Sequence, residues 1–179
     1  MEPQKRNIAL VYGLIAGVSL VAFSTILYVG GVKLYLSGFA YLGYAILIGL
    51  SAAAALAQKK ANGGYLEFAA ALKASFTVFV VALAAQTLFS WLLLNVVDTH
   101  FRDVLDQAIL QKTEDFFRKM GLSEDKLDEA MARERSTNQF SPGRMVLGLA
   151  FSYVVHFIIA LLIAAIVKKK KDIFEKAGV

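Results

Sequence analysis

The sequence predicts an all-α, polytopic membrane protein: four transmembrane helices in two antiparallel hairpins, with a helical extracytoplasmic excursion between helices three and four. Three observations carry this expectation. Apolar residues make up 58% of the chain and charged residues 18%, against roughly 45–50% and about 25% in soluble domains. The charges are also segregated, with long stretches carrying none, as a bilayer demands when a buried charge is costly. Finally, the last apolar run stops at four consecutive lysines, Lys168, Lys169, Lys170 and Lys171.

The first span is expected over about 8–30. Residues 7–32 are 26 consecutive positions without a formal charge, more than the roughly 20 that cross a hydrocarbon core. Lys5 and Arg6 precede it as the basic end of a signal peptide would. The apolar run is too long for a cleavable core, so the segment reads as a retained span.

Residues 34–58 form the second charge-free run, separated from the first only by Gly30, Gly31, Val32 and Lys33. This spacing predicts a tight hairpin and a second span over about 35–57. Tyr28, Tyr35, Tyr41 and Tyr44 surround the turn. A tyrosine ring is apolar and its hydroxyl seeks water, so the turn marks a membrane surface.

Lys59, Lys60, Asn62, Gly63 and Gly64 interrupt the pattern before a third span over about 67–97. Glu67 stands where the N-terminus of a helix favours an anion. Lys73 falls about two turns inside, and its long stem reaches back to the headgroups.

Residues 98–142 hold seven Lys or Arg and ten Asp or Glu, so this stretch belongs in water. Phe101, Val104, Leu105, Ala108, Ile109 and Phe116 recur at three- and four-residue steps, which predicts an amphipathic helix over 100–119 ending near Gly121. Ser123 resembles the N-cap of a second short helix through about Arg135, with Glu124 and Asp125 in its first turn. Ser141 and Pro142 announce the fourth span, 143–167, because proline is tolerated at the first helical position.

Four spans put both termini on one side with the Lys59–Lys60 connection, and the long excursion on the other. Each side carries nine Lys or Arg, but those beside the termini and the connection are packed into the shorter length. The positive-inside bias then places both termini in the cytoplasm, with the chain in the plasma (inner) membrane.

Within lipid, helices associate through small residues and interhelical hydrogen bonds. Each span offers a stripe: Ala9, Gly13 and Gly17; Ala45, Gly49, Ala53 and Ala57; Ala74, Val78, Ala82, Gln86 and Ser90; Gly148, Ser152, His156, Ala160 and Ala164. His156 and Gln86 each lie near the middle of a charge-free run. They are therefore expected to meet at equal depth, hydrogen-bonded, with Ser152, Ser90 or Ser19 nearby. This intramembrane polar cluster is either structural glue or a relay with one titrating member.

Catalytic, cofactor and metal residues are not identifiable. The chain has no cysteine, and no nucleophile, HExxH or phosphate-loop signature occurs. His100 and Asp103 share a helical face, but acidic residues there more simply cap a helix leaving the membrane. The lysine block at 168–171 acts as a stop signal and as a contact for anionic lipid headgroups. No nucleic-acid role is assigned.

The junction Gly63, Gly64, Phe68, Ala71 and Lys73, together with the two-hairpin plan and the acidic excursion, resembles a domain-of-unknown-function family of small bacterial four-span membrane proteins. The likeness covers nearly the whole chain. It departs from the family pattern at Asp98–Thr99, where a proline is expected. The resemblance implies the four-span fold and no activity, cofactor or substrate.

The expected role is a non-catalytic interaction or assembly component, whose partner is the bilayer and a protein or second copy met through the spans or residues 101–135. The alternative is a small transporter or channel component using His156 and Gln86.

Overall fold

The computed structural model describes residues 7–170, so Lys5, Arg6 and Lys171 lie outside the described residues. Seven helices follow in order: α1 (Ile8–Val29), α2 (Gly31–Tyr35), α3 (Leu42–Ala61), α4 (Phe68–Leu92), α5 (Thr99–Lys119), α6 (Glu124–Arg135) and α7 (Pro142–Val167). A 3-10 turn, Gly38–Tyr41, leads into α3, and a wider turn, Leu93–Val97, continues α4. Four helical stretches are long and apolar enough to cross a membrane: Ile8–Val29, Gly38–Ala61, Phe68–Val97 and Pro142–Val167.

Spans one, three and four lie within a residue of the expected bounds 8–30, 67–97 and 143–167. Span two does not. It starts at Gly38 and runs to Ala61, so the expected four-residue hairpin turn is replaced by a longer, hydrogen-bonded elbow. Gly31 adopts φ +82°, a left-handed conformation open to glycine without strain, and this separates α1 from the short α2. Ser37 then closes the elbow, donating to the Leu34 carbonyl at 2.7 Å and accepting from the Phe39 amide at 3.2 Å. Lys59 and Lys60 are drawn into the last turn of α3, where cations complement the unpaired carbonyls.

The central helix is α4, which packs against α1, α3 and α7. Its stripe Ala74, Val78 and Ala82 is buried, as are Ala16, Leu20, Leu47, Ala54, Ala160 and Ala164 from the surrounding helices. Small side chains bring the backbones together: a Cβ built on Gly13 would meet Val81, and one on Gly17 would meet Ala85. The GxxxG of span one is therefore an interhelical contact. The stripes of spans two and four are only partly so. In α3 the buried residues are Leu47, Ser51, Ala54 and Ala55, while Ala45 and Gly49 face outward. In α7 burial begins at His156, and Gly148 lies open. Spacing finds small residues on one face without telling which face meets a neighbour.

Between 22% and 33% of the most apolar window of each span is buried within the chain. The remainder is an apolar outer surface, with Val18, Phe151 and Ile166 each at least 70% exposed. Such a surface matches a hydrocarbon solvent.

The excursion folds back on the bundle. Asp98 accepts from the Phe101 amide at 2.8 Å and so caps α5. The α5 face carrying Phe101 and Leu105 is buried with Leu94 against Tyr28, Val32, Tyr35, Leu36, Ile109 and Phe140. Gly121, at φ +77°, turns the chain into α6, where Leu127 and Met131 are buried. Ser123 and Ser141 hold the N-cap positions in extended backbone, but neither side chain makes a capping hydrogen bond.

Candidate functional site

Polar groups inside a span have few partners, so each one's hydrogen bonds define what it can do. Gln86 of α4 donates through Nε2 to Ser24 Oγ of α1 at 2.6 Å and to Ser90 Oγ, one turn on, at 3.2 Å. Gln86 thus ties span three to span one. Its Oε1 is buried without a partner. Gln86 and Ser24 border a cavity of about 260 Å³ lined also by Leu20, Phe23, Tyr44, Leu47 and Leu83.

His156 occupies a different environment. Its ring is 3% exposed, with Phe79 at 5.0 Å and Tyr44 stacked at 6.1 Å between centroids. Nδ1 lies 2.7 Å from the Ser152 carbonyl, and since a carbonyl only accepts, Nδ1 carries the proton. In the neutral ring Nε2 is then an acceptor, and it is buried without a partner.

The expected His156–Gln86 hydrogen bond is therefore absent, and the equal-depth expectation is corrected with it. Register between spans three and four is set at one end, where Leu66 and Lys169 exchange backbone hydrogen bonds of 2.9 and 2.8 Å. Advancing thirteen residues along each helix from that bridge brings Phe79 opposite His156. Gln86 stands seven residues further, about 10 Å along the axis. Midpoints taken from charge-free runs mislead here because span three begins at Phe68, well before the first uncharged stretch after Lys73.

Of the serines expected nearby, Ser90 joins Gln86, and Ser152 meets His156 through its backbone carbonyl alone. Ser24 was not singled out from sequence, although it lies seven residues beyond Gly17 on the same helical face. Tyr44 and Phe79 were also missed as neighbours of His156. No feature of spacing marks an aromatic that crosses to another helix.

At the lysine end, Lys59 Nζ donates to the Val167 carbonyl at 2.8 Å, satisfying one of the last carbonyls of α7. Lys168 Nζ lies 5.8 Å from the Phe68 ring and Lys169 Nζ 5.3 Å from the Tyr65 ring, distances at which an aromatic face attracts a cation. Lys170 is exposed. These side chains form a basic rim at the ends of α3 and α7, on the side of the Gly63–Gly64 turn.

At the opposite end, Asp98 accepts a second hydrogen bond, 2.7 Å, from the Tyr28 hydroxyl of α1. The Phe101 amide, followed by Tyr28, holds the Asp98 carboxyl below its ordinary pKa. Asp103 pairs with Arg102 at 2.8 Å. Among the described residues no group of three or more His, Asp or Glu is placed to hold a metal.

A family model described as Protein of unknown function (DUF4199) matches residues 11–169. Neither the curated proteins nor the solved structures include a significant match.

Proposed function

We propose that this chain, which belongs to the DUF4199 family of proteins of unknown function, is a non-catalytic, multi-pass interaction or assembly component of the plasma (inner) membrane. Both termini and the lysine rim face the cytoplasm, and α5 and α6 cap the outer end. The observation that carries the reading is the incomplete cover of the excursion. Phe101 and Leu105 are spent on the bundle, whereas Phe116 near the end of α5 and Met120 just beyond it remain 58% and 61% exposed. A face of that kind gains from burial against a partner, whether another protein or a second copy.

Supporting this over a transport role is the separation of His156 from Gln86. A relay needs groups that hand a proton or ion to one another, and these two lie about two turns apart on their helices. Neither has a charged side chain among its hydrogen-bond partners.

The test is site-specific photocrosslinking in intact cells. A crosslinker at Phe116 should give a discrete adduct, and one at Leu105, which is 1% exposed, should not. Equal labelling, or none at Phe116, removes the reason for an interaction role. Orientation is read separately from single cysteines at Lys60 and Gln111, since the chain has none of its own. An impermeant maleimide added outside should label only the second.

A further inference from the structure

Between the end of the excursion and the start of α7 lies a groove of about 500 Å³ lined by Glu134, Gln139, Arg144, Leu147, Gly148 and Phe151. Its two ends differ in chemistry. Glu134, Gln139 and Arg144 form the rim next to the excursion, while Leu147, Gly148 and Phe151 continue along α7 into the span. Arg144 is only the third residue of that helix, so the rim lies at headgroup depth and the apolar floor in the hydrocarbon.

The polar rim carries both signs of charge. The Glu134 carboxylate accepts from Gln139 Nε2 at 3.1 Å, which leaves its other oxygen open to a cation. Guanidinium binds phosphate through paired N–H groups. A phosphate and an ammonium joined by a short linker therefore match Arg144 and Glu134 together. Gly148 faces the open groove, since a Cβ at this position would meet nothing within 4 Å.

We propose that this groove binds one phospholipid of the outer leaflet with a primary-amine zwitterionic headgroup, its phosphate on Arg144, its amine near Glu134 and an acyl chain along Leu147, Gly148 and Phe151. The site rests on the reading that α7 crosses the bilayer with the excursion outside. It does not depend on the interaction role of Phe116 and Met120. Its occupant is set by the pairing of charge: an anionic headgroup without an amine leaves Glu134 unanswered, and a fully apolar lipid leaves both groups unanswered.

Native mass spectrometry of the detergent-purified full chain tests it, with phosphatidylethanolamine and phosphatidylglycerol added in turn. Phosphatidylethanolamine should be retained preferentially. Arg144→Gln should weaken retention roughly tenfold, the scale of a lost charge-assisted hydrogen bond. Glu134→Gln should abolish the preference between the two lipids while keeping binding. Gly148→Leu should block the groove, and its Cβ meets no protein atom within 4 Å. Equal retention of both lipids by the native chain, or unchanged retention in Gly148→Leu, overturns the proposal. Displacement of the lipid by soluble glycerophosphoethanolamine also overturns it, by showing a headgroup site without an acyl slot. Failure of the membrane reading is seen independently, as a chain that stays dispersed once detergent is removed.

Discussion

Gly13 of α1 lies so close to Val81 of α4 that a Cβ added to the glycine would stand 2.9 Å from the valine Cβ. Real carbon pairs do not approach so closely, so the two helices touch only because the side chain is missing. Gly13→Val should therefore force spans one and three apart, at a cost of about 1–3 kcal/mol typical of overpacking. Gly49→Val is the matched control, since its Cβ meets nothing within 4 Å. Thermal unfolding in detergent, followed by the single tryptophan, should show a lowered midpoint for the first variant and an unchanged one for the second.

The two intramembrane polar residues should respond in opposite ways to an apolar replacement. Gln86→Leu removes the unpartnered Oε1 but breaks two hydrogen bonds, leaving the Ser24 and Ser90 hydroxyls without the amide between them. An orphaned buried polar group costs about 1–3 kcal/mol. His156→Phe gives up one contact with the Ser152 carbonyl, within its own helix, but removes a buried acceptor that lacks a partner and keeps a ring against Phe79 and Tyr44. The first variant should unfold earlier and the second no earlier than the native chain. A His156→Phe protein as unstable as Gln86→Leu would show that Nε2 has a partner, such as a buried water, that the ring packing conceals.

These contrasts mark what the sequence discloses and where it stops. Charge brackets span one and ends spans three and four at Asp98 and Lys168, because a Lys or Asp is costly in hydrocarbon, but span three takes in Lys73 near its start and span four opens at Ser141 and Pro142 ahead of Arg144. The Phe101–Leu105 face is legible from its helical period, since an apolar stripe in a charged segment must pack on something. Register is not legible this way. It depends on Leu66 and Lys169 exchanging backbone hydrogen bonds, and every residue has a backbone. The facing of Gly49 and Gly148 is equally silent, because a small residue suits both a close helix contact and open lipid. Span two is displaced for a related reason: apart from Lys33 and Ser37 the elbow is apolar, so hydropathy does not register where the chain bends.

Asp98 joins two elements, capping α5 through the Phe101 amide and binding the Tyr28 hydroxyl of α1. Its pKa in the folded chain is depressed, chiefly by the Phe101 amide and then by Tyr28. The stabilisation is thus complete above the carboxylate's unfolded value and is lost as pH falls through the depressed folded one. Stability measured across the acidic range should decline on that side, and Asp98→Asn should flatten the decline without altering the neutral-to-basic limb. Tyr28→Phe should retain part of it, because the amide contact persists. An identical acid limb in the native and Asp98→Asn chains would assign the decline to other carboxylates of the excursion.

The lysine rim invites a final comparison between charge and contact. Lys59 Nζ reaches across to the Val167 carbonyl at 2.8 Å, so it does more than add to a positive surface: it satisfies the end of α7 beside the Leu66–Lys169 bridge that sets register. Lys60 is one residue on, exposed, and contributes charge alone. If position matters, Lys59→Gln should destabilise the chain by roughly 0.5–1.5 kcal/mol, the net worth of one hydrogen bond, and Lys60→Gln should leave stability unchanged. If only charge density matters, both should act alike, on orientation rather than stability. Hydrogen exchange at the Leu66 amide, which donates to Lys169 at 2.9 Å, separates the cases. Protection there should fall in Lys59→Gln and persist in Lys60→Gln, because loosening the last turn of α7 opens the bridge that follows it.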